Sequence, residues 1–417
     1  MSTEFPNILI LTDCTFCAED GGMNRTLINL FDHYPTSNLQ VLIPHTSVKS
    51  QSPVYNFQSR ISSVQLDWIK GRNSRLTTWL SPFLRSLNLQ IIDWSNIPTE
   101  ILDILSETDL IIIVSNRIEV LLFSRKLIQK SNLPFLYYGM DDLIGQEKYR
   151  WLTGDAKSTF RWIFSSAYGW LMISESLTSA IGARFGIKPK RVHIVHNPAR
   201  IIDGTLGLPT APSDHFRILY AGSIWGMHLD ALIAVAEAVA LLSESGVAIE
   251  LILHTPDIFW MNYRSIWERF GVTNGGFTEY ANLPKALTQA NLLLVASSFE
   301  VANKEIVESS VQTKLTDYMS ANRPIFACGP SYSASNKFVE KWECGINCNE
   351  STPTSIAHML ETLIKNPERL SKLGEQGYHA AKSNFEKSKI CESLYQFIKS
   401  CAPSREYRQI RTNVNEV

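Results

Sequence analysis

Apolar runs of strand length recur along the chain, and amphipathic segments of helix length separate them. In the first half, seven such runs predict strands at residues 8–11, 40–43, 89–92, 110–114, 135–138, 170–173 and 192–195. Helices are predicted between them, for example at residues 23–31, 118–129 and 177–184. Continuous β-branched runs that alternate with helices are typical of a parallel sheet covered on both faces. The first half is therefore predicted to form a doubly wound α/β domain.

The pattern lapses at residues 198–213 and then restarts. This stretch is rich in Pro, Gly and Thr, and it indicates a linker between two domains. We expect two doubly wound, Rossmann-like domains that face each other across a cleft, with ligands at the carboxyl ends of the strands. In the second domain, strands are predicted at residues 217–221, 248–253, 292–295, 325–327 and 346–348, with helices at 229–242, 354–365, 367–383 and 387–401.

Segment 308–327 combines a short helix, a sharp stop and a buried strand. Lys314 and Asp317 are three residues apart, which places them on one face near the start of the predicted helix. Asn322 stands where a helix would end in the left-handed conformation, and Pro324 prevents its continuation. The two charges suit a nucleotide, with the ammonium at a phosphate and the carboxylate at a ribose diol. An ordinary surface ion pair would show the same spacing.

Composition narrows the class of protein. The chain has 417 residues and a formal net charge of −1, which gives no support for a nucleic-acid-binding protein. No apolar run approaches the length of about eighteen residues that spans a membrane. The first residues lack the basic segment of a signal peptide, so a cytoplasmic protein is expected. Seven scattered cysteines fit reduced thiols, although Cys14 and Cys17 follow a predicted strand and leave a redox pair open.

Two glycine-containing loops follow predicted strands and open helices. Gly21 and Gly22 precede the first helix, where backbone amides and the helix N-terminus favour an anion. Gly222 and Ser223 form a similar loop in the second domain, with His228 in the helix that follows. The Ser223 hydroxyl or a protonated His228 would suit a phosphate. A plain turn and a solvated first-turn histidine would give the same pattern.

Two further segments carry charge. Asp141 and Asp142 follow a predicted strand and would serve as metal ligands, as a base, or as a turn or helix cap. Residues 60–89 contain five basic residues and one acid, interleaved with Trp68 and Trp79. Such a segment favours peripheral contact with an anionic membrane, and a solvated helix face would look alike.

Taken together, these segments resemble the GT-B glycosyltransferases, in particular the retaining clan of glycogen-synthase-like and lipopolysaccharide glycosyltransferases (glycosyl transferases group 1). The resemblance covers nearly the whole chain. It rests on ILILTD with GGMNRTLINL, WLMISESLTSAIGARFGI with VHIVHNPA, FRILYAGSIWG, and QTKLTDYMSANRPIFACGP, in that order. The last segment is similar to the donor-nucleotide loop of the family.

The resemblance implies a hexosyltransferase that moves a hexose from a nucleotide-diphosphate sugar to a glycan or lipid-linked acceptor with retention, without a metal or other cofactor. It implies an acceptor-side domain over residues 1–200, a linker over 201–213 and a donor-binding domain over 214–385. A C-terminal helix within 386–417 would cross back to the first domain and end in a polar tail. The implied donor-binding residues are Gly22, Gly222, Ser223, Lys314, Leu315 and Asp317, and those on the acceptor side are Gly21, Arg25 and Asp141.

The chain departs from the family pattern at the diphosphate. Ser223 and His228 stand where the family places an Arg and a Lys, which removes two cations. The family's glutamate, eight residues before Asp317, is replaced by Ser309. Candidate catalytic residues are therefore Glu300, Glu308 and His228. A non-catalytic GT-B partner or scaffold remains an alternative, as does a GT-B nucleotide-sugar epimerase that uses His228, Glu300 and Asp141.

Overall fold

The computed structural model describes residues 5–17, 22–44, 61–63, 99–143, 154–201 and 215–403. The chain divides into two compact units: unit 1 contains Met1–Val195 and Cys391–Val417, and unit 2 contains His196–Ile390. The domain boundaries at 200, 213 and 385 stay predictions. Outside the described residues lie the predicted strand at 89–92, Gly21, most of the predicted linker, and the basic segment except for Ile61–Ser63.

Unit 1 is built on a seven-stranded parallel sheet. Its strands are β1 (Ile8–Thr12), β2 (Leu39–Ile43), β3 (Ile61–Ser63), β4 (Leu110–Val114), β5 (Phe135–Gly139), β6 (Gly169–Met172) and β7 (Val192–Ile194). The helices are α1 (Gly22–Phe31), α2 (Thr99–Glu107), α3 (Ile118–Ser131), α4 (Gly154–Ser166) and α5 (Glu175–Phe185). The spatial order β3-β2-β1-β4-β5-β6-β7 reverses between β1 and β4, which is the doubly wound arrangement.

Helix α5 shows how local sequence sets these elements. The Ser174 hydroxyl accepts a hydrogen bond from the Leu177 amide at 3.1 Å and caps the helix start. Gly186 ends the helix in the left-handed region with φ of 63°. Leu177, Ile181 and Phe185 recur every fourth residue, and all three are buried in the core of unit 1.

Unit 2 is built on a six-stranded parallel sheet. Its strands are β8 (Phe216–Ala221), β9 (Ile249–His254), β10 (Thr273–Asn274), β11 (Leu292–Ala296), β12 (Ile325–Cys328) and β13 (Gly345–Cys348), in the spatial order β10-β9-β8-β11-β12-β13. The helices are α6 (Gly226–Glu244), α7 (Asp257–Asn262), α8 (Arg264–Arg269), α9 (Leu283–Thr288), α10 (Lys304–Ser309), α11 (Lys314–Ser320), α12 (Ala334–Lys341), α13 (Pro353–Ile364) and α14 (Pro367–Ala380). The predicted α/β class with two doubly wound parallel sheets is therefore confirmed.

Helix α6 forms the centre of one face of unit 2. Ala231, Leu232, Val235, Val239 and Leu242 of this helix are buried in the hydrophobic cluster that covers the sheet. Among the described residues, α6 is also the one helix long and apolar enough to cross a membrane. Half of its apolar window is buried inside the protein, as expected for a core helix, so its length and composition are weak evidence for a membrane span.

The last helix, α15 (Lys387–Cys401), belongs to unit 1 from Cys391 onward. The Tyr395 hydroxyl donates to the Leu30 carbonyl at 2.7 Å, and the Cys391 thiol donates to the Asn29 carbonyl at 3.4 Å. Cys391 is one of seven cysteines that are all buried and not joined by disulfide bonds.

Candidate functional site

The candidate site of unit 2 lies at the carboxyl ends of β8 and β11, where the strand order reverses. Chains that leave two neighbouring strands toward opposite faces open a crevice at this point. The loop after β8 contains Gly222 and Ser223, and the loop after β11 contains Glu300. The loop after β11 is joined to the first turn of α6, because the Ser298 amide donates to the Met227 carbonyl at 2.9 Å.

Gly222 lacks a side chain at a point where the loop backbone needs an unusual conformation and a close neighbour. Its φ of 132° lies in a region that side chains rarely adopt. A Cβ atom built on Gly222 would lie 3.0 Å from the Lys314 Nζ atom. The Gly222 amide already donates to the His254 carbonyl at 2.9 Å. The loop therefore needs a glycine because the Lys314 ammonium approaches its backbone, and this amide is not available to a ligand.

Lys314 begins α11 and carries a buried cation. Its Nζ atom lies within the protein, has no hydrogen-bond partner among the described residues, and is 3.5 Å from the centre of the Tyr220 ring. Burial lowers the pKa of Lys314 well below its ordinary value. The surface ion pair with Asp317 that the spacing allowed is not formed, because the ammonium points to Tyr220 and Gly222 instead.

His228 lies in the first turn of α6 and is also buried. Its Nδ1 atom accepts a hydrogen bond from the Trp225 amide at 3.3 Å. Burial, together with the charge of Lys314, lowers the pKa of His228 to about 3. The ring is therefore neutral near pH 7, and the protonated His228 considered from the sequence is not expected there. A catalytic role of the neutral ring stays a prediction.

Asp317 lies one helical turn after Lys314 and is half-buried. The Tyr280 hydroxyl donates to its Oδ1 atom at 3.4 Å. Asp317 lines a small pocket whose other residues are Arg200, Tyr280, Leu283, Pro284, Leu287 and Ser320. A carboxylate beside a phenol and apolar side chains is a plausible partner for the diol of a bound nucleoside.

The remaining unit 2 candidates have different surroundings. Glu300 is exposed, and the Asn303 amide group donates to its carboxylate at 3.4 Å. Glu308 is exposed on α10. Leu315 was expected to contact the donor, but its side chain is buried in the hydrophobic core behind α11 and is not exposed to a ligand. Ser223 is half-buried, and its carbonyl accepts the Tyr220 hydroxyl at 2.7 Å.

The acceptor-side candidates lie in unit 1. Gly22 is exposed at the start of α1, and its carbonyl accepts the Thr26 hydroxyl at 3.0 Å. Arg25 is half-buried in the same helix. Asp141 follows β5, and the Asn116 amide group donates to it at 3.4 Å. The roles of these residues toward a substrate stay predictions.

The structure adds residues that the sequence did not single out. Tyr220 contacts the Lys314 ammonium, and Tyr280 contacts Asp317. Asp13 follows β1 and accepts hydrogen bonds from the Ser115 hydroxyl and the Asn116 amide. Tyr220 is the penultimate residue of β8, so an apolar strand pattern explains it fully. Its position just before a glycine loop is the one signal that could have identified it.

Solved structures identify the fold. HepE from Anabaena, in complex with UDP and glucose, is 13% identical, with a TM-score of 0.67 over 95% of this chain and 100% of HepE. Sucrose-phosphate synthase from Thermosynechococcus elongatus is 15% identical, with a TM-score of 0.59 over 98% of this chain and 100% of that chain. The lipopolysaccharide outer core galactosyltransferase WaaB is 15% identical, with a TM-score of 0.62 over 94% of this chain and 99% of WaaB.

No family model matches the chain, and no curated protein matches it in sequence. At such low identities a structural likeness establishes the fold and leaves the activity open. This chain has two parallel, doubly wound sheets, and its structure covers nearly the full length of these glycosyltransferase structures. The chain therefore has the GT-B glycosyltransferase fold.

Proposed function

We propose that this protein is a cytoplasmic glycosyltransferase that moves a hexose from a nucleotide-diphosphate sugar to a glycan or lipid-linked acceptor. Transfer would proceed with retention of configuration and without a metal ion. The observation that carries the proposal is the Lys314 ammonium, buried against Gly222 without a hydrogen-bond partner in the part of the chain that the structure describes. A buried cation in such a place is stabilised when an anion binds beside it, and a diphosphate fits that requirement.

Different site residues would bind different parts of the donor. Lys314 would face the diphosphate, and Asp317 would accept hydrogen bonds from the ribose hydroxyls with Tyr280 beside it. Catalysis would then rest on positioning of the two substrates and on stabilising the charge of the departing diphosphate. Glu300 and Glu308 remain candidates for contacts to the transferred sugar, and Arg25 and Asp141 for contacts to the acceptor.

A UDP-sugar is the first donor to test. HepE, which shares this fold, was solved with UDP-glucose. We therefore expect UDP-glucose to raise the melting temperature in a screen that also contains GDP-, ADP- and dTDP-sugars. A ligand that binds only the folded protein stabilises it, and the stabilisation grows with the logarithm of the ratio of ligand concentration to dissociation constant.

Calorimetry on Lys314→Ala tests the site. The variant is expected to lose donor binding by at least about a hundredfold, because a charge-assisted contact to phosphate is removed in a water-poor site. Lys365→Ala is the matched control, since Lys365 is exposed in the same unit and pairs only with Glu361. Unchanged donor affinity in Lys314→Ala would overturn the site assignment.

A non-catalytic sugar-nucleotide-binding protein is the second candidate. Ser223 and a neutral His228 leave Lys314 as the cation that contacts this loop. One cation supports binding more readily than it supports departure of a diphosphate. Donor binding without release of nucleotide, in the presence of a range of glycan and lipid-linked acceptors, would favour this candidate.

A further inference from the structure

The Lys314 ammonium rests on an aromatic ring and has no counter-ion among the described residues. Its Nζ atom is 3.5 Å from the centre of the Tyr220 ring, well within the roughly 6 Å range of a cation–π contact. The ring itself is fully buried. Most buried ammonium groups are paired with a carboxylate, so this arrangement is unusual.

Tyr220 is held in place by the loop that it supports. Its hydroxyl donates to the Ser223 carbonyl at 2.7 Å and lies 3.4 Å from the His228 Nδ1 atom. A second tyrosine, Tyr318, fixes Ala221, the residue between Tyr220 and Gly222, because the Tyr318 hydroxyl accepts a hydrogen bond from the Ala221 amide at 2.8 Å. The ring under the ammonium and the backbone beside it are therefore positioned by one set of hydrogen bonds.

The ionisable groups around Lys314 give it no negative partner. From β8 it faces Tyr220, and burial raises the pKa of that phenol well above its ordinary value. From α6 it faces His228, whose pKa is lowered to about 3, so this ring is neutral. On α11 itself lie Tyr318, whose pKa is also raised, and Asp317, which accepts the Tyr280 hydroxyl. Burial is the cause of the lowered pKa of Lys314.

We propose that Tyr220 is a positioning residue for the donor: its ring stands in for a counter-ion and holds the Lys314 ammonium against Gly222, where an entering diphosphate would pair with it. The inference rests on the proposed function, since it assumes a diphosphate at this site. It adds a residue that the GT-B resemblance does not assign.

Proton uptake on donor binding follows from this arrangement. In the free protein, Lys314 is an ammonium below its lowered pKa and a neutral amine above it. A bound diphosphate favours the ammonium, so the amine takes one proton from the buffer as the diphosphate binds. Above the pKa of the free site, donor affinity should therefore fall as the pH rises. Below that pKa the ammonium is already formed, and Lys314 makes no contribution to the pH dependence.

Titration calorimetry with UDP-glucose measures this proton directly. UDP-glucose is a suitable probe because its diphosphate does not titrate near neutral pH. Binding heats compared between buffers of low and high ionisation enthalpy, from pH 7 to 9.5, give the number of protons taken up. We expect an uptake that rises with pH to a large fraction of one proton. Lys314→Arg should abolish the uptake, because a guanidinium stays protonated.

Two substitutions of Tyr220 separate the ring from its hydroxyl. Tyr220→Phe keeps the ring and should change the affinity by no more than about threefold, with proton uptake retained. Tyr220→Leu removes the ring and should weaken binding by at least about tenfold, with altered proton uptake. Tyr138→Phe, which removes a buried phenol from unit 1, is the control, and it should keep the affinity and the proton uptake.

The outcomes distinguish this inference from the proposed function. Tyr220→Leu that folds, binds UDP-glucose with unchanged affinity and takes up protons like the unaltered protein overturns the inference alone. If Tyr220→Leu fails to fold, Tyr220→Met, which also lacks the ring, is measured in its place with the same expected loss. If none of the UDP-, GDP-, ADP- and dTDP-sugars binds, both the inference and the proposed function fail.

Discussion

The carboxyl edges of the two sheets differ in whether the charged side chain beside them is hydrogen-bonded. In unit 1, Asp13 accepts hydrogen bonds from the Ser115 hydroxyl at 2.6 Å and the Asn116 amide at 3.1 Å, and its other oxygen lies 3.7 Å from the Arg117 Nε atom. In unit 2, the Lys314 ammonium lies beside Gly222, just after β8, and none of the described residues gives it a hydrogen bond. The same topology therefore supports a satisfied polar network in one unit and an unsatisfied cation in the other.

The difference indicates what each edge is for. Buried polar groups are normally hydrogen-bonded, so partnered charges beside a strand end are explained by structure alone. An unpartnered buried ammonium lowers stability in the free protein and is explained best by a ligand that completes it. The comparison makes unit 2 the stronger candidate for the anionic part of a substrate.

Breaking a buried pair in unit 1 should have the largest effect on stability. Asp142 is almost fully buried, and both of its oxygens accept hydrogen bonds from the Arg184 guanidinium. Asp142→Asn should lower the free energy of unfolding by about 3 kcal/mol, because the guanidinium loses its counter-ion. Urea denaturation measures this change, and donor affinity should stay the same.

The exposed pair between Glu361 and Lys365 is the matched control for that experiment. Glu361→Gln should leave the free energy of unfolding almost unchanged, because water screens an exposed pair. Equal effects of the two substitutions would contradict the view that unit 1 depends on its paired charges.

Filling the space at Gly222 tests the opposite edge. Gly222→Ala places a methyl group 3.0 Å from the Lys314 Nζ atom at a φ of 132°, so the loop or the ammonium must move. We expect UDP-glucose affinity to fall by at least about tenfold, which corresponds to roughly 1.4 kcal/mol. Gly226→Ala is the control, since a Cβ atom at Gly226 would have nothing within 4 Å. Equal affinities of the two variants would show that the space beside Lys314 is not used by the donor.

His228 tests whether a neutral group accompanies the cation of unit 2. Its folded-state pKa of about 3 lies below the ordinary value of 6.5. Between these values the unfolded chain binds more protons than the folded one, so stability should fall as the pH drops from 6.5 toward 3. The contribution is at most about 1.4 kcal/mol for each pH unit.

A difference measurement isolates this contribution. His228→Asn should flatten the stability profile below pH 6.5, whereas the exposed His358→Asn should leave it unchanged. If His228→Asn left the pH dependence of stability below pH 6.5 unchanged, the pKa of His228 would not be lowered. The assignment of a neutral ring beside Lys314 would then be wrong.

The sequence predicted the framework well for physical reasons. Residues 8–11 and 110–114 are apolar throughout because the central strands of a parallel sheet are buried on both faces, and both runs are strands in the structure. The helix and strand of segment 308–327 were recognisable from Asn322 and Pro324, and Asn322 has the left-handed φ of 54° that its type suggests. These features depend on local rules.

The environment of the site was less predictable. The spacing of Lys314 and Asp317 allowed an ion pair, and only tertiary packing reveals that the ammonium turns to Tyr220. The neutrality of His228 depends on burial by β8 and on the nearby charge of Lys314, neither of which is encoded near position 228. The burial of the Leu315 side chain was not predicted either, because helical spacing does not show which face of α11 packs on the sheet. Its contact with the donor stays a prediction.

The end of α11 provides the smallest and most local test of the comparison. Asn322 has a φ of 54°, whereas its neighbour Ala321 has a φ of −81°. At position 322, Ala should be less stable than Gly by about 1 kcal/mol, because a Cβ atom is strained in the left-handed region. At position 321 the order should reverse by a similar amount, roughly 0.5–1 kcal/mol, because Gly loses more freedom in a helical conformation.

Thermal unfolding of the four single variants measures both differences. Gly and Ala both lack the Asn amide group, so their difference at position 322 reports on backbone conformation alone. None of these variants should change the affinity for UDP-glucose by more than about twofold, because the Lys314 ammonium lies beside Tyr220 and Gly222 at the other end of the helix. A large loss of affinity in Asn322→Ala would mean that the helix end, rather than the unpartnered charge, sets the difference between the two edges.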